Sequence, residues 1–226
     1  MYKYVVVIPA RGGSKRFPGK NIYPLNNKPL INYSIEWALN NPLSSDVYVS
    51  TDDSEIAKTA ENAGAKILWR PENLSGDFVS TAKTLQHVGE ELEIIGVDFD
   101  YMILLQVTNP LRPTNMLTDA IKMIETSDYD SLMTVSLLYA KLGKIIDNRF
   151  VPWNYQYGQR TQDMEPLYYE NGLLYISKKE IILRGLIVGE KMYPMIVDHL
   201  YGTIDIDTIE DLKYAEFIMQ QEKRYV

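Results

Sequence analysis

Two aspartates, Asp205 and Asp207, stand two residues apart in the run Gly202-Thr203-Ile204-Asp205-Ile206-Asp207-Thr208, a spacing that in extended backbone turns both carboxylates to one face. Paired hard oxygen donors of this kind suit a divalent cation such as Mg²⁺, with a bound nucleotide supplying further ligands. Opposite charge gathers near the other end of the chain. The run from Pro9 to Lys20 carries four cations, Arg11, Lys15, Arg16 and Lys20, among three glycines, Gly12, Gly13 and Gly19, that let backbone N–H groups come close to an anion. The pattern is that of a polyphosphate cradle but not of a Walker loop, because Gly19-Lys20 is followed by Asn21 where Ser or Thr is required. Cationic loop and paired carboxylates together meet the needs of triphosphate chemistry, charge neutralisation and an oriented metal. Each also has a plainer reading. A basic glycine-rich turn is commonly a solvated turn, and Asp207-Thr208 also reads as a helix start, with Thr208 as cap and Asp211 in the capping-box position.

Composition narrows the chemistry further. The chain has no cysteine and two histidines, His87 and His199, which excludes disulfides and thiolate metal sites and leaves little for a zinc centre or a His-dependent triad. Any catalysis must run on carboxylates, amides, hydroxyls, lysine, arginine and a hard metal. With 23 Lys and Arg against 30 Asp and Glu, the net charge of −7 argues against a nucleic-acid-binding surface. No apolar run approaches the ~18 residues of a membrane span, and the five apolar residues Tyr4 to Ile8 are too few for a signal-peptide core, so a cytoplasmic protein is expected.

Periodicity shows which elements must carry these groups. Tyr4 to Ile8 reads as a buried strand feeding the basic loop, and Pro29 to Asn40 has the apolar stripe of a helix. Asp46 to Ser50 alternates as a strand and runs into Thr51-Asp52-Asp53-Ser54, where Asp53 or Ser54 caps a helix stopped by Gly64. Lys66 to Trp69 is a third strand, followed by the loop Arg70 to Asp77 and a helix from Ser80 to Ile95. Tyr101 to Leu105, nearly all apolar, reads as a central strand, followed by a helix from Pro113 to Ile124 and a fifth strand from Ser131 to Leu138. This alternation predicts an α/β fold with a mostly parallel, doubly wound sheet, and places the loops after the strands on one ligand-binding rim. On that rim Gln106, Thr108, Asn109 and Arg112 are candidate readers of a sugar or base, or members of an Asn-Pro turn; Arg70 is a candidate phosphate or pyrimidine contact.

From Tyr139 to Tyr169 the periodicity fails, and Phe150, Trp153, Tyr155 and Tyr157 crowd the stretch. An excursion of this length inside a compact domain reads as a functional loop or an interaction arm, hence a homodimer, or else as an irregular hairpin packing its aromatics on its own sheet. Strands at Leu173 to Ser177 and Met192 to Val197, a helix near Lys178 to Arg184 and a last helix from Ile209 to Gln221 complete one domain over residues 1–226, with the 139–169 excursion inside it.

With the loop, the Gln106 strand end and the paired aspartates in view, the sequence resembles the acylneuraminate cytidylyltransferase, or CMP-sialic acid synthetase, family over nearly its whole length. The resemblance rests on Ile8 to Lys15 followed by Lys20-Asn21, on Val49-Ser50-Thr51-Asp52, Arg70-Pro71, Leu104-Leu105-Gln106 with Pro110-Leu111-Arg112, and on Ile204-Asp205-Ile206-Asp207. It implies a Rossmann-like nucleotidyltransferase fold and a homodimer whose arms reach into the partner. It also implies CTP as cosubstrate, Mg²⁺ as cofactor and a nine-carbon 2-keto sugar acid as acceptor, with no nucleic acid and no membrane. Carried over by position, the CTP contacts are Arg11, Gly12, Gly13, Ser14, Lys15, Lys20 and Asn21, with Arg70 and Thr81 beside them. Arg11 and Lys20 would neutralise the departing pyrophosphate, Asp205 and Asp207 would hold the metal, and Arg16, outside the matched pattern, is expected to be a surface charge. Gln106, Arg160 and Tyr175 resemble sugar contacts. Val107 and Asn109 depart from the usual proline and serine, and Tyr169 stands where many bacterial members carry an arginine ahead of Asn171-Gly172. Arg160-Thr161-Gln162-Asp163 and Glu170-Asn171-Gly172 are similar to the animal-type pattern, which makes the deaminated sialic acid KDN an alternative to N-acetylneuraminate. Legionaminate, pseudaminate or the eight-carbon Kdo are further alternatives; an Asp-x-Asp glycosyltransferase or a non-catalytic nucleotide-binding module is more distant.

Overall fold

The computed structural model describes residues 2–41 and 46–225. In chain order the elements are β1 (Tyr4–Pro9), β2 (Pro24–Leu25), β3 (Lys28–Pro29), α1 (Leu30–Leu39), β4 (Asp46–Thr51), α2 (Ser54–Asn62), β5 (Lys66–Trp69) and α3 (Thr81–Ile94). Next come β6 (Tyr101–Leu104), α4 (Met116–Glu125), β7 (Ser131–Leu138), β8 (Gly143–Ile146), β9 (Arg149–Pro152), β10 (Leu167–Lys178), α5 (Lys179–Leu183), β11 (Met192–Ile196) and α6 (Ile209–Tyr225).

Seven strands form the main sheet in the order β11-β7-β10-β6-β1-β4-β5. All neighbouring pairs are parallel except those of β10, which runs antiparallel to both β6 and β7. Alternation along the strands divides the core. Val6, Ile8, Val49, Ile103 and Ile176 pack towards α1, α2, α4 and α6, while Val5, Val7, Tyr48, Met102 and Leu104 pack towards α3 and α5. Burial on both faces is why β1 and β6 read as unbroken apolar runs. Each fully buried Ile or Leu there contributes about 1.5–3 kcal/mol.

The expected α/β architecture is present, with three differences. The excursion is not irregular throughout, for β8 and β9 form a hairpin whose turn residues Asp147 and Asn148 have φ of 49° and 59°. Two successive positive φ values are the turn that matches the twist of a tight hairpin. Its strands are almost wholly exposed, so no apolar alternation betrays them. The strand expected at Leu173 starts at Leu167 instead, because Asn171-Gly172 interrupts the apolar pattern without ending the pairing. The helix expected from Pro113 starts at Met116, whose N–H bonds back to the Pro113 carbonyl in a preceding turn. No helix among the described residues is long and apolar enough to cross a membrane.

Candidate active site

The carboxyl ends of β1, β4 and β6 open on one rim, as a parallel sheet with this connectivity requires. A cavity of about 500 Å³ lies there, walled on one side by the basic loop and on the other by Thr81, Gln106 and Asp207. Gly19, at φ 69°, makes the turn that delivers Lys20 into a short 3₁₀ segment. Lys20 is buried, and its Nζ lies 2.7 Å from Asp207 Oδ1. The Arg16 guanidinium reaches the other oxygen of the same carboxylate at 2.6 Å. Asn21 Nδ2 donates to the Arg11 carbonyl at 2.8 Å and closes the loop on itself. On the opposite wall Arg11 Nη1 lies 2.7 Å from Asp77 Oδ1, and Lys15 pairs with the other Asp77 oxygen. These two cations hold the Asp77 carboxyl below the usual carboxylate range, Lys15 most strongly.

Several assignments change. Gly12 donates its N–H to Asp52 Oδ1 at 2.9 Å, and a Cβ there would meet Asp53 at 2.6 Å. Its smallness therefore serves the packing of the loop on the start of α2 rather than an anion. Arg70 is buried behind the rim, giving its guanidinium to the Ser50 carbonyl at 2.9 Å, and does not line the cavity. Burial pushes its pKa down, with Asp52 opposing. Arg112 is likewise internal, whereas Asn109, though buried, lies at the wall of a second cavity. Arg112 bonds the Leu173 and Gln106 carbonyls at 2.6 and 2.8 Å, and Asn109 bonds the Asn171 and Ile204 carbonyls at 3.0 and 2.7 Å. Arg16 is exposed, as expected of a surface charge, and also lines the cavity, as does Asp77, which has no local sequence signal.

A second cavity of about 450 Å³ adjoins the first, with Gln106 lining both. Tyr169, Glu170, Tyr175 and Asp205 line it, and among the described residues around it none is basic. Tyr169 donates its hydroxyl to the Gly202 carbonyl at 3.0 Å. Tyr175 donates to Glu170 and accepts from Gln106 Nε2 at 3.4 Å. Arg160 is absent from this wall: it is exposed in the arm and paired with Asp163 at 2.7 Å.

Asp205 and Asp207 flank the buried Ile206 and line the adjoining cavities, Asp205 the second and Asp207 the first. Burial pushes the Asp205 carboxyl pKa up; a Thr108 hydrogen bond opposes this and the Asp207 charge adds to it. Behind them Asp211 Oδ2 accepts from the Asp207 and Thr208 N–H groups, the capping box expected for α6. No group of three or more carboxylate or imidazole side chains among the described residues forms a metal cage. Two carboxylates two residues apart nonetheless match the one or two that Mg²⁺ takes from a protein.

The model of a protein family described as cytidylyltransferase matches residues 5–225. The chain belongs to this cytidylyltransferase family. Within it, the chain is 32% identical over 222 residues to the pseudaminic acid cytidylyltransferase of Campylobacter jejuni subsp. jejuni serotype O:2, covering 96% of each chain. It is 34% identical over 218 residues to N-acylneuraminate cytidylyltransferase A of Danio rerio, covering 93% of this chain and 49% of that one. The solved CTP complex of a CMP:2-keto-3-deoxy-manno-octonic acid synthetase superposes with a TM-score of 0.71 at 18% identity, over 97% of this chain and 99% of that one. That likeness fixes the fold, the Rossmann-like nucleotidyltransferase arrangement. As a cytidylyltransferase, the protein is a CTP-dependent nucleotidyltransferase.

Proposed function

We propose that the protein transfers CMP from CTP to the anomeric hydroxyl of a nine-carbon 2-keto sugar acid and releases pyrophosphate. The observation that carries this reading is the pair of adjoining cavities, one cationic and one polar, meeting at Gln106. The triphosphate lies along Arg11, Ser14, Lys15 and Lys20, with Thr81 at the wall facing them. The acceptor lies among Gln106, Tyr169, Glu170 and Tyr175. Its anomeric oxygen attacks the α-phosphorus in line, the bond to the pyrophosphate oxygen breaks, and Arg11, Lys15 and Lys20 neutralise the charge that develops on the leaving group. Lys20 and Arg16 already engage both oxygens of Asp207, and the hydroxyl proton passes to water. Asp205 and Asp207 would hold Mg²⁺, which would supply Lewis-acid charge neutralisation.

An acid bound in the second cavity meets only neutral and acidic walls there, so a cation must come from elsewhere. The exposed aromatic arm, with Phe150, Trp153 and Tyr157 outward, supports a homodimer in which Arg160 of each arm reaches the other copy's acceptor cavity.

Two acceptor readings stand together. Matching of the animal-type segments favours N-acetylneuraminate or KDN, and the match at full length to an enzyme named for pseudaminic acid favours pseudaminate or its isomer legionaminate. Pyrophosphate release with CTP against these four acids and Kdo separates them. Release with one nine-carbon acid well above the rest is expected; release with Kdo alone, or with none, overturns the reading.

A further inference from the structure

Glu170 and Tyr175 are five residues apart on β10, which in a regular strand would leave them on opposite faces and roughly 17 Å apart. In this chain the Tyr175 hydroxyl touches the Glu170 carboxylate. The reason is a bulge. Glu170 pairs with Val135 and Tyr175 with Met133, so five steps on β10 face two on β7. The bulge is fixed from several sides. Gly172 has φ 73°, and a Cβ on it would meet Asn109 Oδ1 at 2.6 Å. The Asn171 side chain accepts from Thr134 Oγ1 at 2.6 Å and donates to Ser136 Oγ at 3.0 Å. Bulges re-aim side chains, and this one aims a carboxylate at a phenol on the acceptor wall.

The contact sets a direction. A carboxylate only accepts, so the Tyr175 O–H must donate to Glu170, and its lone pair must then accept from the Gln106 amide. Gln106 therefore turns its Nε2 to Tyr175 and its Oε1 away. Its backbone is held as well, since the Gln106 carbonyl accepts from Arg112 Nη2 at 2.8 Å.

We propose that Glu170 is a positioning residue: acting through Tyr175, it fixes the side-chain amide of Gln106 so that the carbonyl oxygen, a hydrogen-bond acceptor, faces the junction of the two cavities and orients the attacking hydroxyl. Without Glu170 the Tyr175 hydroxyl donates to Gln106 instead, and the amide turns its NH₂ to the junction. This inference rests on the acceptor reading above.

Steady-state pyrophosphate release by the full chain, with CTP and the acid giving the highest rate, tests it. Glu170→Ala should lower kcat roughly tenfold, the worth of one oriented hydrogen bond, and leave the KM for CTP unchanged. Glu170→Gln, whose amide oxygen still accepts from Tyr175, should stay within about threefold of the wild type. Adding Glu170→Ala to Tyr175→Phe should cost nothing more, since the link is already cut. Glu170 is exposed, and thermal unfolding checks that Glu170→Ala keeps its fold. A fully active Glu170→Ala, or losses that multiply in the double variant because the carboxylate touches the acceptor directly, overturns the inference alone. A wild type inactive with every nine-carbon acid overturns the acceptor reading and the inference with it.

Discussion

The two cavities that meet at Gln106 differ in how much of their chemistry one chain supplies. The nucleotide side brings Arg11, Lys15, Arg16 and Lys20 from a single loop and sets two carboxylates, Asp77 and Asp207, against them, so every cation has a partner within the chain and a positive excess remains. On the acceptor side Glu170 and Asp205 line the wall and no lining residue is basic, although the Lys20 charge is felt at Asp205. A local sequence can encode a cradle for phosphate, because glycines and cations within a dozen residues suffice. The proposed recognition of the acceptor would draw on β6, β10 and the segment before α6, and on an arm whose Arg160 does not line the cavity of its own chain.

The comparison breaks most severely at Asp207. Asp207→Ala should lower kcat on the order of 10²- to 10³-fold, the scale of removing one well-placed electrostatic group. It also leaves the nearly buried Lys20 unpaired, so the variant should lose about 1–3 kcal/mol of stability in denaturant melts. A near-normal rate would remove both the metal role and the charge-matching account of the nucleotide side. Arg160→Ala is the sharper test of the acceptor side. The KM for the acid should rise about tenfold while that for CTP stays put, as expected when one charge-assisted contact of ~1.5 kcal/mol is lost. Equal rises for both substrates would mean that the arm only supports the fold.

How much of this the sequence discloses follows the same division. Elements with a continuous buried surface, β1 and β6 on both faces and α2 on one, are legible almost to the residue, and Lys20, Asn21, Asp205 and Asp207, picked out by short spacings, each line one of the two cavities. What stays hidden depends on partners far along the chain. Arg16, one of the loop's four cations, is paired with Asp207, 191 positions later and 2.6 Å away. Arg70 reads as a ligand contact because its type is visible and its burial is not. The β10 bulge is set by Asn109, 62 positions before its bonding partner Asn171, and no periodicity betrays it. The β8-β9 hairpin is missed for the converse reason, having no buried face to impose a pattern.

The smallest expected effect concerns Asp77, whose carboxylate holds two cations of the cradle that a triphosphate also requires. On the proposed reading the triphosphate would take Arg11 and Lys15 over from Asp77, so Asp77→Asn should lower the KM for CTP by a factor of about two, as expected of exposed ion pairs, and less at high salt. The pH dependence has a definite sign. Lys15 and Arg11 depress the folded-state pKa of Asp77, so its contribution to stability is present above the ordinary carboxylate value and disappears as pH falls through the depressed one. Melting curves of the wild type and Asp77→Asn should therefore differ slightly at neutral pH and converge in strong acid. A rise in the KM for CTP in Asp77→Asn would show that Asp77 aims the two cations at the phosphate, and the nucleotide side would then need its own carboxylate as much as its cations.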